Sequence, residues 1–117
     1  MSVKHVCQTS TVDATEWEPF EVAVTEGDPS TQVHWLRDKS GGEGVLFAGL
    51  FRAEPGRFDY EFSGDETFHM LEGEIAIALE SDDPVTLRAG DIASFPKGAK
   101  STWEVRSPMK KFFVISG

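Results

Sequence analysis

The chain has 117 residues, 39% of them hydrophobic and 11% aromatic, which suits one domain with an ordinary packed core and excludes disorder. Eleven Lys and Arg against 20 Asp and Glu give a net charge of −9, which repels phosphate backbones, argues against a nucleic-acid partner and favours small cations such as amines or guanidines. A single cysteine, Cys7, excludes an internal disulfide and a Cys-based metal cluster, and no run nears the ~20 apolar residues of a membrane span, so a cytoplasmic protein with no membrane partner is expected.

Residues 1–30 show no sustained period and read as an N-terminal arm, with residues 31–117 forming the body of a single domain. Val3 to Val6 suit a short edge strand, and Glu16 to Phe20 an extended loop. Trp17 and Phe20 are expected across an opening of the body or against a second subunit. Gly27 to Ser30 is a turn. Thr31 to Arg37 alternates as a strand, with Val33 and Trp35 opposite His34 and Leu36. The polar, glycine-rich stretch Asp38 to Gly44 is a hairpin connection, and Val45 to Ala53 is a strand covered on both faces. Glu54-Pro55-Gly56 turns the chain, and Gly56 suits the positive φ of a type II turn.

Arg57 to Phe62 alternates next, Phe58, Tyr60 and Phe62 opposite Arg57, Asp59 and Glu61. Ser63-Gly64-Asp65 is a tight connection, Glu66 to Leu71 a strand, and Glu72-Gly73 a bend into the strand Glu74 to Glu80. Ser81 to Pro84 turns into the short strand Val85 to Leu87. Arg88 to Asp91 turns before Ile92 to Phe95, which Pro96-Lys97-Gly98 closes. Ser101 to Val105 and Lys111 to Ile115 are the last two strands, joined across Ser107-Pro108. Short strands separated by turns, with no helical period, predict an all-β sandwich or jelly-roll barrel.

Two stretches carry the functional reading. The first runs from Gly56 to Gly73, with Glu66 seven residues before the closing glycine of Leu71-Glu72-Gly73; the second is Gly90-Asp91-Ile92-Ala93-Ser94-Phe95-Pro96-Lys97-Gly98. In this order they resemble the two signature motifs of the cupin superfamily. The ending, Thr102-Trp103-Glu104-Val105 and then Pro108-Met109-Lys110-Lys111-Phe112, is similar to the small cupins related to ureidoglycine aminohydrolase and the ethanolamine-utilisation Q proteins. The resemblance covers about Val45 to Ile115. It implies a double-stranded β-helix, the RmlC-like jelly-roll barrel. It also implies a metal held by two histidines and a glutamate of the first motif and a third histidine of the second.

Here the glutamate is present and the histidines are not. The first two histidine positions fall at Tyr60 and Phe62, at Asp59 and Glu61, or at Phe62 and Gly64, according to register; the third is Ser101. Glu66 with Tyr60 and Ser101 is a poor donor set, so no cofactor is expected, while a divalent metal stays open. His69, three positions from Glu66, points to the opposite face of a regular strand. Three roles for Glu66 stand side by side: a former ligand now bonded to Tyr60 or Ser101, a working carboxylate in an aromatic cavity, or a solvated side chain. The second role draws on desolvation among Phe62, Phe68 and Trp103, which suits a carboxylate to proton transfer.

Trp103 is either barrel core or a surface for a flat or cationic ligand. Lys97 reads as a solvated loop charge, and Lys110-Lys111 as a solvated strand end. The leading expectation is a small-molecule-binding cupin without a classical metal site. Glu66 is its candidate catalytic residue, and Tyr60, Phe62, Glu66, Phe68, Met70, Ser101 and Trp103 are the residues facing its ligand. One rival is a lyase, isomerase or hydrolase of a small nitrogenous metabolite, with Glu66 as acid, base or lone metal ligand. The other is a non-catalytic module acting through subunit contacts. A homodimer is expected, since Val3, Val6, Trp17 and Phe20 need burial.

Overall fold

In the computed structural model, which describes residues 7–38, 40, 42–80 and 82–117, every helix or strand assigned is a strand. They are β1 (Glu18–Pro19), β2 (Ala23–Gly27), β3 (Gln32–Arg37), β4 (Leu46–Ala53), β5 (Gly56–Glu61), β6 (Asp65–Leu79), β7 (Val85–Arg88), β8 (Ile92–Phe95) and β9 (Lys100–Ser116). Two long strands organise the rest. β6 and β9 run antiparallel along their whole lengths, from Asp65 opposite Ser116 to Leu79 opposite Ser101. Each serves two sheets, because both bend in the middle.

On one side of the bend the strand order is β1-β3-β4-β9-β6-β8, using the second half of β9 and the first half of β6. On the other side it is β2-β5-β9-β6-β7, using the remaining halves. All pairings are antiparallel. The two sheets face each other, and their inward side chains form one core that includes Val33, Phe51, Phe58, Phe68, Ile75, Trp103 and Phe113. This is the double-stranded β-helix expected from the sequence.

Bulges at the bend explain why the sequence suggests four strands where the structure has two. In β6 the inward positions are even up to Met70 and odd from Ile75, the register shifting between Met70 and Ile75. Gly73 takes a φ of +83° there, and its α-carbon lies against Pro108 of β9. The alternation breaks at the bend while the pairing with β9 continues.

Three further expectations change. Glu18–Pro19, inside the segment read as a loop, pairs with β3, and Ala23–Gly27 pairs with β5. Both segments are exposed on both faces, so they carry no hydrophobic period. Gly56 is a strand residue outside the positive-φ set; what it supplies is close approach, since a β-carbon there would lie 2.9 Å from Pro29 Cδ. The positive φ of that corner belongs to Gly27, at +72°. Val3 to Val6, His5, Gly41 and Ser81 lie outside the described residues.

Candidate functional site

Alternation along β5, β6 and β9 turns the predicted set inward, but only Tyr60, Glu66 and Trp103 of it line the small void beside Glu66; Phe62, Phe68, Met70 and Ser101 are buried outside that lining. Phe62, Glu66, Phe68, Met70, Ser101 and Trp103 are buried, and Tyr60 is half-buried at the barrel mouth. His69 faces out and is exposed, as the spacing from Glu66 requires. His34 is also remote from Glu66, with its Nδ1 at 2.8 Å from the Glu16 carbonyl oxygen and its Nε2 at 2.7 Å from Ser10 Oγ.

Glu66 is only 2% exposed, which rules out the solvated role. Tyr60 donates its phenol to Glu66 Oε1 over a long 3.4 Å. The stronger partner is one the sequence reading placed elsewhere. Lys111 donates from Nζ to Glu66 Oε2 at 2.5 Å and is itself only 4% exposed. It is no solvated strand end. Inward residues of β9 fall at odd numbers, through Trp103, Val105, Met109, Phe113 and Ile115, and Lys111 belongs to that series.

The Lys111 backbone stands opposite Met70, two inward positions along β6 from Glu66, and its four-carbon chain spans that offset. Nζ lies 4.2 Å from the centroid of Phe68, 4.5 Å from Trp103 and 5.1 Å from Phe51, so the cation is caged by ring faces. Burial pushes the Lys111 ammonium below the ordinary lysine range, and the Glu66 carboxylate opposes that shift. Burial, and then the Glu66 charge, push the Tyr60 phenol up to about 12. The neutral phenol is therefore the form this site keeps at physiological pH.

Ser101, at the third histidine position, is fixed within the fold. It donates to the Tyr60 carbonyl at 2.6 Å and accepts from Trp103 Nε1 at 2.9 Å, so Tyr60 rather than Ser101 is the protein's second bond to Glu66. Phe58 stacks on Trp103 with centroids 5.3 Å apart, and Phe62 on Phe95 at 4.8 Å. Against the ion pair lies a void of about 20 Å³, lined also by Phe20, Val22, Phe51, Phe58, Tyr60, Trp103, Phe113 and Ile115. That volume holds roughly one water, and the arm residues Phe20 and Val22 form part of its wall. Phe20 packs edge-on to Phe51 at 5.7 Å and also contacts Tyr60, so it closes the barrel opening within its own chain. Trp17 lies under the Arg52 guanidinium, 4.2 Å from it.

The site fits a transition metal poorly. Glu66 is the only strong ligand among the motif positions Tyr60, Phe62, Glu66 and Ser101, and the place a cation would take beside it holds the Lys111 ammonium. Among the described residues no three His, Cys, Asp or Glu side chains converge.

Comparison with known proteins agrees with this architecture. A family model described as the EutQ-like cupin domain matches residues 40–113. The EutQ protein of Clostridium difficile superposes with a TM-score of 0.66 at 19% identity, over 75% of this chain and 68% of that one. A DUF861 family protein from Thermotoga maritima is 30% identical over 55% of this chain and 73% of its own, with a TM-score of 0.53. The Cnp3 cupin domain of Schizosaccharomyces pombe, at 8% identity, covers 93% of this chain and 74% of its own with a TM-score of 0.71. No match was found among curated proteins.

Proposed function

We propose, on the premise that the chain belongs to the EutQ-like cupin domain family, that it binds a small organic molecule at the barrel mouth through Glu66 and Lys111. One observation carries this reading: a buried ion pair on the floor of an aromatic-walled opening. Such a pair is poor support for stability, since two apolar side chains of similar volume serve a core as well or better. At this position, however, it offers a ligand a donor and an acceptor side by side, with Tyr60 as a third polar group. The apolar walls supply the remaining contact, as small-molecule sites generally require.

A thermal-shift screen of small amines, acids, sugars and carbonyl compounds tests the proposal. A true ligand stabilises the wild type by about 2.7 kcal/mol at a hundred times its Kd. It gives no such shift with Glu66→Gln or Lys111→Met. Stabilisers that act equally on all three proteins would place binding elsewhere. The enzymatic alternative uses the same pair as a general acid and base, with the proton carried across the Lys111–Glu66 contact. Turnover lost in Glu66→Gln with binding retained identifies that case. We also propose that the protein works as a homodimer burying more than about 1,200 Å²; light scattering that finds a monomer at high micromolar concentration overturns this.

A further inference from the structure

Of the lysines described, Lys97 and Lys100 are exposed, and Lys110 lies at the surface with Glu72. Among these four, Lys111 alone is held inside the barrel, with one carboxylate as its hydrogen-bond partner and ring faces around the rest of Nζ. An ammonium has three N–H groups to satisfy, and aromatic faces serve two of them only weakly. A neutral amine has fewer demands. Passing one proton over the 2.5 Å to Glu66 turns the pair into an amine and a carboxylic acid and leaves no charge in the cavity. A desolvated amine beside a proton carrier is the apparatus of a carbonyl-capturing lysine.

We propose that Lys111 captures small aliphatic carbonyl compounds as a Schiff base, with Glu66 carrying the protons; this rests on the barrel mouth being the ligand site. The Lys111 ammonium first gives a proton to Glu66. The Nζ lone pair then attacks the carbonyl carbon and a C–N bond forms. The carbonyl oxygen takes the proton from Glu66, which gives a carbinolamine once Nζ returns its extra proton to the carboxylate. Glu66 next protonates the hydroxyl, which leaves as water while the nitrogen lone pair forms the C=N bond. Aldehyde and ammonium thus become iminium and water, with charge conserved and Glu66 left as the carboxylate paired to the iminium. The desolvated lysine supports the first step, since burial already disfavours its charged form. The apolar lining by Phe20, Val22, Phe51 and Phe58 suits a short aliphatic substituent, which the one-water void admits once the arm residues Phe20 and Val22 give way.

The test treats the whole protein with propanal and cyanoborohydride and maps propylated lysines by mass spectrometry. Capture makes Lys111 the first lysine marked, at a rate at least about ten-fold above exposed Lys97 and Lys100. A merely structural ion pair protects it instead, and finding Lys111 unmarked when Lys97 and Lys100 are saturated overturns the proposal without any variant. In folded Glu66→Gln the mark at Lys111 falls at least about ten-fold while Lys97 and Lys100 keep their rates; an unchanged or faster mark overturns the role given to Glu66. Propanol, propanoate and propylamine, followed by thermal shift, separate ligand binding at the pair from carbonyl capture. If one of them binds through Glu66 and Lys111 while propanal leaves Lys111 unmarked, the site stands and the carbonyl chemistry falls. If no compound of the wider screen binds through the pair and nothing marks Lys111, both fall.

Discussion

Tyr60 is the only tyrosine of the chain, so tyrosinate absorbance reports this one group. Its phenol is pushed up to about 12, first by burial and then by the Glu66 charge. The native absorbance should therefore rise near pH 12, whereas the denatured protein titrates near the ordinary value of 10. Glu66→Gln removes the charge and keeps the burial, so its midpoint should lie between the two. The native state holds this proton at a pH where the unfolded chain has lost it. The contribution of Tyr60 to stability is therefore complete below pH ~10 and is lost as pH rises through the folded value. Denaturant midpoints of wild type and Tyr60→Phe should hold a constant difference up to that pH, and the difference should then move against the wild type. Glu66 was legible in the sequence because seven residues separate it from Gly73 and alternation fixes its face. Lys111 was not, because two adjacent lysines read as one patch of charge. Period two counted back from Ile115 and Phe113 would have turned it inward, since alternation is indifferent to side-chain type.

At the scale of elements, the decisive feature is the bend shared by β6 and β9. A β-carbon at Gly73 would lie 2.2 Å from the Pro108 carbonyl oxygen and 2.7 Å from Met109 Cα, on a backbone with φ of +83°. Gly90 has a similar φ of +97° but open space around it. Alanine at either position incurs the left-handed conformational cost of roughly 1–2 kcal/mol. At Gly73 it must also push two backbones apart, so Gly73→Ala should lower the denaturant midpoint well beyond Gly90→Ala, with the m-value of the latter unchanged. Equal losses would show that the bend does not depend on this close approach. The same bend limited what could be read in advance: Glu72-Gly73 and Ser107-Pro108 look like connections, because the sequence displays the break in alternation and not the pairing that runs through it. β1 and β2 were hidden for another reason. Their backbones pair with β3 and β5, but no face of either is buried, and a strand without a buried face leaves no periodic mark.

For the whole molecule, the strongly acidic balance is partly offset on the outside of one sheet. Arg57, Arg88 and Arg106 pair there with Glu26, Glu74 and Glu104, linking β2, β5, β6, β7 and β9. These exposed pairs contribute little each, so cohesion rests on the core and on strand topology. That topology is non-local. β9 closes the fold by pairing with β4, β5 and β6, and its second half brings Met109, Lys111, Phe113 and Ile115 into the interior. Folding must close long loops before these contacts form, so refolding should fall in the millisecond-to-second range of β barrels rather than in microseconds. Two truncations separate the closing strand from the arm. Removing residues 1–19 takes away β1, an edge partner of β3 alone, and should leave one cooperative unfolding transition at a somewhat lower temperature. Removing residues 109–117 strips β4 and the first half of β6 of a shared partner, opens the core and leaves Glu66 without its lysine. That chain should show no cooperative transition by calorimetry or near-ultraviolet dichroism. A cooperative melt in its absence would mean that the two sheets hold together without the strand both share.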